Sequence, residues 1–208
     1  MVSEASRQTS EHRRASLANR YDMMRLARKI GIKGQNYLTR DMGERAYELL
    51  REQLQETPNG QPLVLVFPPA QLVDSSFADE SVVRLGEELL RGEYEERGIL
   101  LEGLTDDSIK NFKAVLSLRG IKLPLLAVMA TGEWYVLGGL EDSLVETLDI
   151  VQRHERLTAS ELVSQLGLAV NTASTRLKRL HNLRLVRREH EISEKGLQYL
   201  YYFWEWKK

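Results

Sequence analysis

The sequence contains no cysteine. That absence excludes a disulfide framework, a thiolate metal site and a thiol nucleophile, and it fits a reducing compartment such as the cytoplasm. Long apolar runs are missing as well. Segments such as 124–130 fall far short of the roughly 20 apolar residues that a membrane helix needs. The first twenty residues lack the apolar core of a secretion signal. A soluble, cytoplasmic protein without a membrane partner is the expectation. Nor is there a surplus of charge: 29 Lys and Arg stand against 30 Asp and Glu, a formal net charge of −1. A basic coat is thereby excluded, and any nucleic-acid face must be argued locally.

Catalytic signals are equally sparse. No glycine-rich phosphate loop and no nucleophile elbow occurs. His12, His154, His181 and His190 stand at no metal-ligand spacing. Asp106 and Asp107 are acids at a helix start, where the helix dipole favours them. The expectation is a protein that is not an enzyme, with no catalytic residue, no metal and no cofactor.

What is present is 208 residues, 42% of them apolar, enough for one medium core or two small ones. Residues 1–20 are rich in Ser, Arg and Glu and read as a mobile tail. A mixed basic segment, 21–33, reads as a helix. An alternating pattern follows. Helices are expected at 41–55, 75–90 and 106–118, with strands at 63–67 and 99–101 and a hairpin formed by 125–129 and 134–137. The run Leu63–Phe67 is continuously apolar, as a strand buried on both faces would be. The fold class expected is α/β (α+β), a mixed sheet covered by helices. Gly138-Gly139 reads as a linker, with a second unit beyond it.

That second unit opens with an amphipathic helix, 141–153, carrying Leu144, Leu148 and Val151. Thr158 and Glu161 have capping-box spacing, and Gly167 supplies a left-handed stop. The next helix, running to about Leu183, puts Ala173, Leu177 and Leu180 on one face. At about 100° per residue, Asn171, Thr172, Thr175, Lys178 and Arg179 fall on the other. Short polar side chains followed by cations suit a helix whose N-terminal half enters the DNA major groove. Leu185 to Arg188 and Ile192 read as two short strands around a turn at 189–191. Between His154 and His190, seven cations face three acids. The segment 194–208, with six aromatics in its last ten residues, reads as a final helix. Its aromatic surface must be buried, either in a homodimer contact or against Leu144 and Leu148.

The run Leu157-Thr-Ala-Ser-Glu-Leu-Val-Ser-Gln-Leu-Gly-Leu, then Asn171-Thr-Ala-Ser-Thr-Arg-Leu-Lys-Arg-Leu and Leu185-Val-Arg-Arg, resembles the winged helix-turn-helix of bacterial regulators of the arsenic-repressor and multiple-antibiotic-resistance types. The resemblance covers roughly 140–196. It implies a partner of double-stranded DNA, a dimer, and contacts from Asn171, Thr172, Thr175, Lys178, Arg179, Arg187 and Arg188. Where that family often has glycine before the wing, this chain has Arg184. The competing reading is a winged helix used for protein contacts, its cations merely solvated.

The stretch Leu72-Val-Asp-Ser-Ser-Phe-Ala-Asp-Glu80, after the apolar strand, resembles the STAS fold of sulfate transporters and anti-sigma factor antagonists. It is closer still to STAS-like domains with Ser-Phe-Ala-Asp-Glu after a buried strand. The resemblance spans about 35–137. It implies phosphorylation at Ser75, beside Asp74. Phe77 departs from the antagonists' glycine, and Asp79 and Glu80 would repel a phosphate. The same residues also read structurally, with Ser76 as N-cap, Asp79 or Glu80 completing the cap and Phe77 in the core.

The expected organisation is a tail (1–20), a STAS-like α/β domain with an N-terminal helix (21–137), and a winged helix-turn-helix with an aromatic helix (138–208). Function is then a DNA-binding transcriptional regulator whose STAS-like domain senses, docks or dimerises. The alternative is a signalling adaptor switched at Ser75, with a protein partner at the STAS-like domain and the winged helix used for protein contacts.

Overall fold

A computed structural model of the chain describes residues 19–32, 34, 36–120, 122–129, 131–154, 156–193 and 196–205. Most of the expected tail, 1–18 with His12, lies outside the described residues, as does Trp206.

Five strands form one sheet in sequence order: β1 (Asn19–Asp22), β2 (Pro62–Val66), β3 (Gly98–Glu102), β4 (Leu125–Val128) and β5 (Trp134–Leu137). The first four are parallel, and β5 turns back antiparallel on β4. A sheet that adds strands in one direction, with connections of one hand, puts every connecting helix on the same face. Here α1 (Met23–Lys29), α2 (Arg40–Glu56), α3 (Ser75–Ala78, Asp79–Val83 and Arg84–Leu90 in succession) and α4 (Asp106–Leu118) all pack on one side. The middle segment of α3 is a π-helical turn, so the expected helix over 75–90 is present with one widened turn.

The strands' alternation divides the core in two. Leu63, Leu65, Ile99, Leu101, Leu125 and Ala127 face the helices. Val64, Leu100, Leu126 and Val128 face the other way and are also buried. What covers this second face is the C-terminal part of the chain: α5 (Asp142–Arg153), α6 (Ala159–Leu166), α7 (Val170–Asn182) and the hairpin β6 (Val186–Ser193) and β7 (Gly196–Phe203). Leu144, Leu148, Phe203 and Trp204 share one cluster with Val64 and Leu126. The indole of Trp204 lies so close to Gly98 that a Cβ there would come within 2.8 Å of its ring. The two-sided burial expected of the apolar strand is therefore met, with the winged helix supplying the second cover.

Three expectations are corrected. Asn19 and Arg20, placed in the tail, belong to β1, and the helix expected from residue 21 begins only at Met23, capped by Asp22 through the Met24 N–H at 2.8 Å. The strand escapes notice because it is polar: only Tyr21 is buried, while Asn19 donates to Thr57 Oγ1 and Arg20 grips Glu102 at 2.8 and 2.6 Å. The helix expected over 194–208 is instead the strand β7 as far as Phe203. Aromatic residues favour strands, and alternate residues Tyr201 and Phe203 turn inward while Tyr199 stays exposed. The wing is correspondingly longer than expected, since β6 runs straight through 189–191 and pairs with β7 from Val186↔Phe203 to Ser193↔Gly196.

The start of α3 also differs from the expectation. Asp74, not Ser76, is the N-cap. Its carboxylate accepts from Phe77 N at 2.7 Å and from Thr39 N at 3.2 Å. Asp79 and Glu80 take no part in the cap. Asp79 pairs with Arg119 at 2.5 Å, and Arg40 bridges to Glu80. Phe77 is fully buried, as expected.

Candidate nucleic-acid interface

The C-terminal helices are built as their sequence dictates. Thr158 Oγ1 accepts from Glu161 N at 3.2 Å, while the Glu161 carboxylate accepts from Thr158 N at 2.7 Å, a reciprocal capping box. Gly167 stops α6 at φ +64°, a left-handed conformation that glycine adopts without strain. Three residues later, at Val170, α7 begins. Ala173, Leu177 and Leu180 are fully buried, and the small Ala173 allows α7 to cross α6 closely. Leu157 and Tyr201 exchange two backbone hydrogen bonds of 2.9 Å, an isolated bridge that ties the start of α6 to the hairpin.

Of the expected DNA contacts, Asn171, Thr172, Thr175 and Lys178 are all exposed on α7. Lys178 makes no ion pair among the described residues. The helix start carries no side-chain cap and no acid in its first turn, so its free N–H groups and positive dipole end are unopposed. The remaining cations are already engaged. Arg179 donates to both Glu141 oxygens at 2.8 and 2.5 Å, and these bonds hold the Glu141 carboxyl below its usual range. Arg176 meets Glu146 at 3.1 Å. Arg187 bridges to Glu189 and lies 3.9 Å over the Tyr202 ring, and Arg188 lies 4.4 Å over Tyr199. Both wing arginines therefore sit at the base of the hairpin, opposite Tyr202 and Tyr201, rather than at its tip. Such solvent-screened pairs are weak, so a phosphate can compete for them.

His181, Glu96 and Arg184 seat α7 on the sheet. His181, buried in its last turn, places Nε2 2.7 Å from both oxygens of Glu96, which precedes β3. Burial alone would raise the Glu96 carboxyl, but the hydrogen bond from His181, the nearby Arg184 and the backbone N–H of Arg188 outweigh it and leave the group below its usual value. Arg184 occupies the position where glycine was expected and takes the glycine conformation, φ +59°. Its Nε donates to Leu89 O at 3.1 Å, and its own carbonyl accepts from Trp204 Nε1 at 2.9 Å. The bend into the wing is thus made by a strained arginine held from both sides.

Among the described residues no cluster of His, Asp or Glu has the geometry to hold a metal ion, and no helix is long and apolar enough to cross a membrane. Ser75 is half-buried in the first turn of α3. Comparison with known proteins finds that residues 140–187 match the family model described as winged helix-turn-helix DNA-binding. No curated protein matches the chain.

Proposed function

We propose that the chain is a DNA-binding transcriptional regulator in which α7 reads the major groove of double-stranded DNA. The observation that carries this reading is the exposed start of α7. Asn171, Thr172, Thr175 and Lys178 share one open surface, uncapped and free of acids in the first turn, within a segment that matches a DNA-binding family model. Asn171 and Thr175 are the candidates for base edges. Lys178, Arg187 and Arg188 are the candidates for phosphates, with Arg179 joining when it leaves Glu141. The α/β part acts as a STAS-like sensing, docking or dimerising module in a cytoplasmic homodimer. The aromatic segment no longer supplies a helical dimer contact, because Tyr201, Phe203 and Trp204 are buried within the chain. Exposed apolar side chains on the hairpin, Ile192, Leu197 and Tyr199, offer a surface for a second copy.

The adaptor reading, with phosphorylation at Ser75 and the winged helix used for protein contacts, has less support. Asp74 already occupies the Phe77 N–H that a phosphate at this helix end would seek. Recovery of genomic fragments by the purified protein tests the first reading. An enriched sequence motif is expected, and Thr175→Ala should alter preference within it by about 1–3 kcal/mol if Thr175 reads a base. Fragments recovered without any shared motif, together with phosphate on Ser75 in protein from its native host, would favour the adaptor.

A further inference from the structure

Where the sheet hands over to the winged helix, a cavity of about 450 Å³ opens between three separate segments. The loop before β4 contributes Lys122. The linker and the start of α5 contribute Leu140, Glu141 and Leu144. The last turn of α7 and the residue after it contribute Arg179 and Leu183. Its volume falls in the range of small-molecule sites, about 300–1,000 Å³.

The lining is graded. Leu144 is buried and Leu140 and Leu183 are half-buried, which gives an apolar floor. Lys122, Glu141 and Arg179 are exposed and form an ionic mouth. Within that mouth Arg179 and Glu141 form a two-bond pair, and Lys122, which makes no ion pair among the described residues, adds a second positive charge that also helps hold the Glu141 carboxyl down. One positive charge is therefore left at the rim of an apolar hollow.

We propose that this cavity is a binding site for a small amphipathic carboxylate, its apolar body on Leu140, Leu144 and Leu183 and its anionic head between Lys122 and Arg179. Charge decides the class. A cation would meet two cations and one acid already paired, and a neutral apolar molecule would make no use of the mouth's surplus positive charge. The site does not rest on the DNA reading, because the cavity and its lining are present in the chain without a duplex. A ligand there would contact both the sheet's connecting loop and α7, and so join the two parts of the chain.

Octanoate is the probe, with octylammonium as its cationic counterpart, and heteronuclear NMR of the full chain is the readout. Octanoate should shift the amides of 122, 139–144 and 179–183, and octylammonium should not. Two substitutions make the test specific without threatening the fold. Lys122→Glu reverses a positive charge at an exposed position and should weaken octanoate binding about tenfold or more. Gly139→Leu adds bulk at a glycine that lines the cavity, where an added Cβ would meet nothing within 4 Å and φ is outside the left-handed region, and it should also weaken binding. Failure of octanoate to shift these amides would overturn the proposal. So would binding unaffected by both substitutions, or equal binding of octylammonium.

Discussion

Arg184 shows how a single residue can hold strain for a structural return. A non-glycine residue at φ +59° costs about 1–2 kcal/mol, and the bond from its Nε to Leu89 O offsets part of that. Arg184→Gly removes both the strain and the bond and should change stability by no more than about 1 kcal/mol. Arg184→Ala keeps the strain and loses the bond, so it should be less stable than the glycine variant by about 1 kcal/mol; chemical denaturation of the three proteins decides. The same reasoning applies to the start of α3. Asp74→Ala should cost about 1 kcal/mol or more, since it frees both Phe77 N and Thr39 N, while Ser76→Ala should be near neutral. The sequence could not choose between these caps, because Asp74, Ser75 and Ser76 are all good cap residues. The choice is made by a distant contact: Asp74 N donates to Tyr37 O at 2.9 Å, which fixes Asp74 in the extended conformation a cap requires. Phe77 and the Thr158–Glu161 box, by contrast, were legible because their spacing alone defines their environment.

Among the elements, the long amphipathic ones were readable and the unusual strands were not. Helices α2, α4, α5 and α7 follow their apolar spacing closely. β1 carries almost no apolar signal, because an edge strand held by the Arg20–Glu102 pair needs only Tyr21 in the core. β7 carries too much: a dense aromatic segment fits either a buried helix or an alternating strand, and pairing with β6 settles it. The seat of α7 was invisible, since Glu96 and His181 lie far apart in the chain. Its energetics have a definite sign. Glu96 is held below its usual value in the fold, so it stabilises the protein above the ordinary glutamate pKa of about 4.3, and that contribution is lost as pH falls through the lower folded value. Glu96→Gln should therefore destabilise the protein near neutral pH by about 1 kcal/mol, a figure reduced because the side chain is partly exposed, and should lose less stability on acidification than the parent. Thermal melts from neutral to acid pH measure both; equal acid sensitivity of the two proteins would show that Glu96 does not carry the effect.

At the scale of the molecule, one sheet serves two covers. Val64, Leu100, Leu126 and Val128 belong to strands of the α/β part yet are buried by α5 and Trp204. The linker reading of Gly138-Gly139 suggested separable units, but each large apolar side chain buried on this face stabilises both parts by about 1.5–3 kcal/mol. The full chain should unfold in a single cooperative transition, and a fragment ending at 137 should expose this face and aggregate or bind hydrophobic dyes; two well-separated calorimetric transitions would contradict that coupling. The same coupling presents α7 outward from a fixed base, which is how a chain with no overall positive charge can offer a local nucleic-acid face. The most direct test of that claim is a salt titration of duplex DNA binding by fluorescence anisotropy, comparing the parent with Lys178→Glu. Log affinity should fall linearly with log salt, and the substitution should weaken binding to every duplex and lower the slope by about 0.9, one phosphate contact. Affinity that is indifferent to salt and unchanged by Lys178→Glu would contradict it.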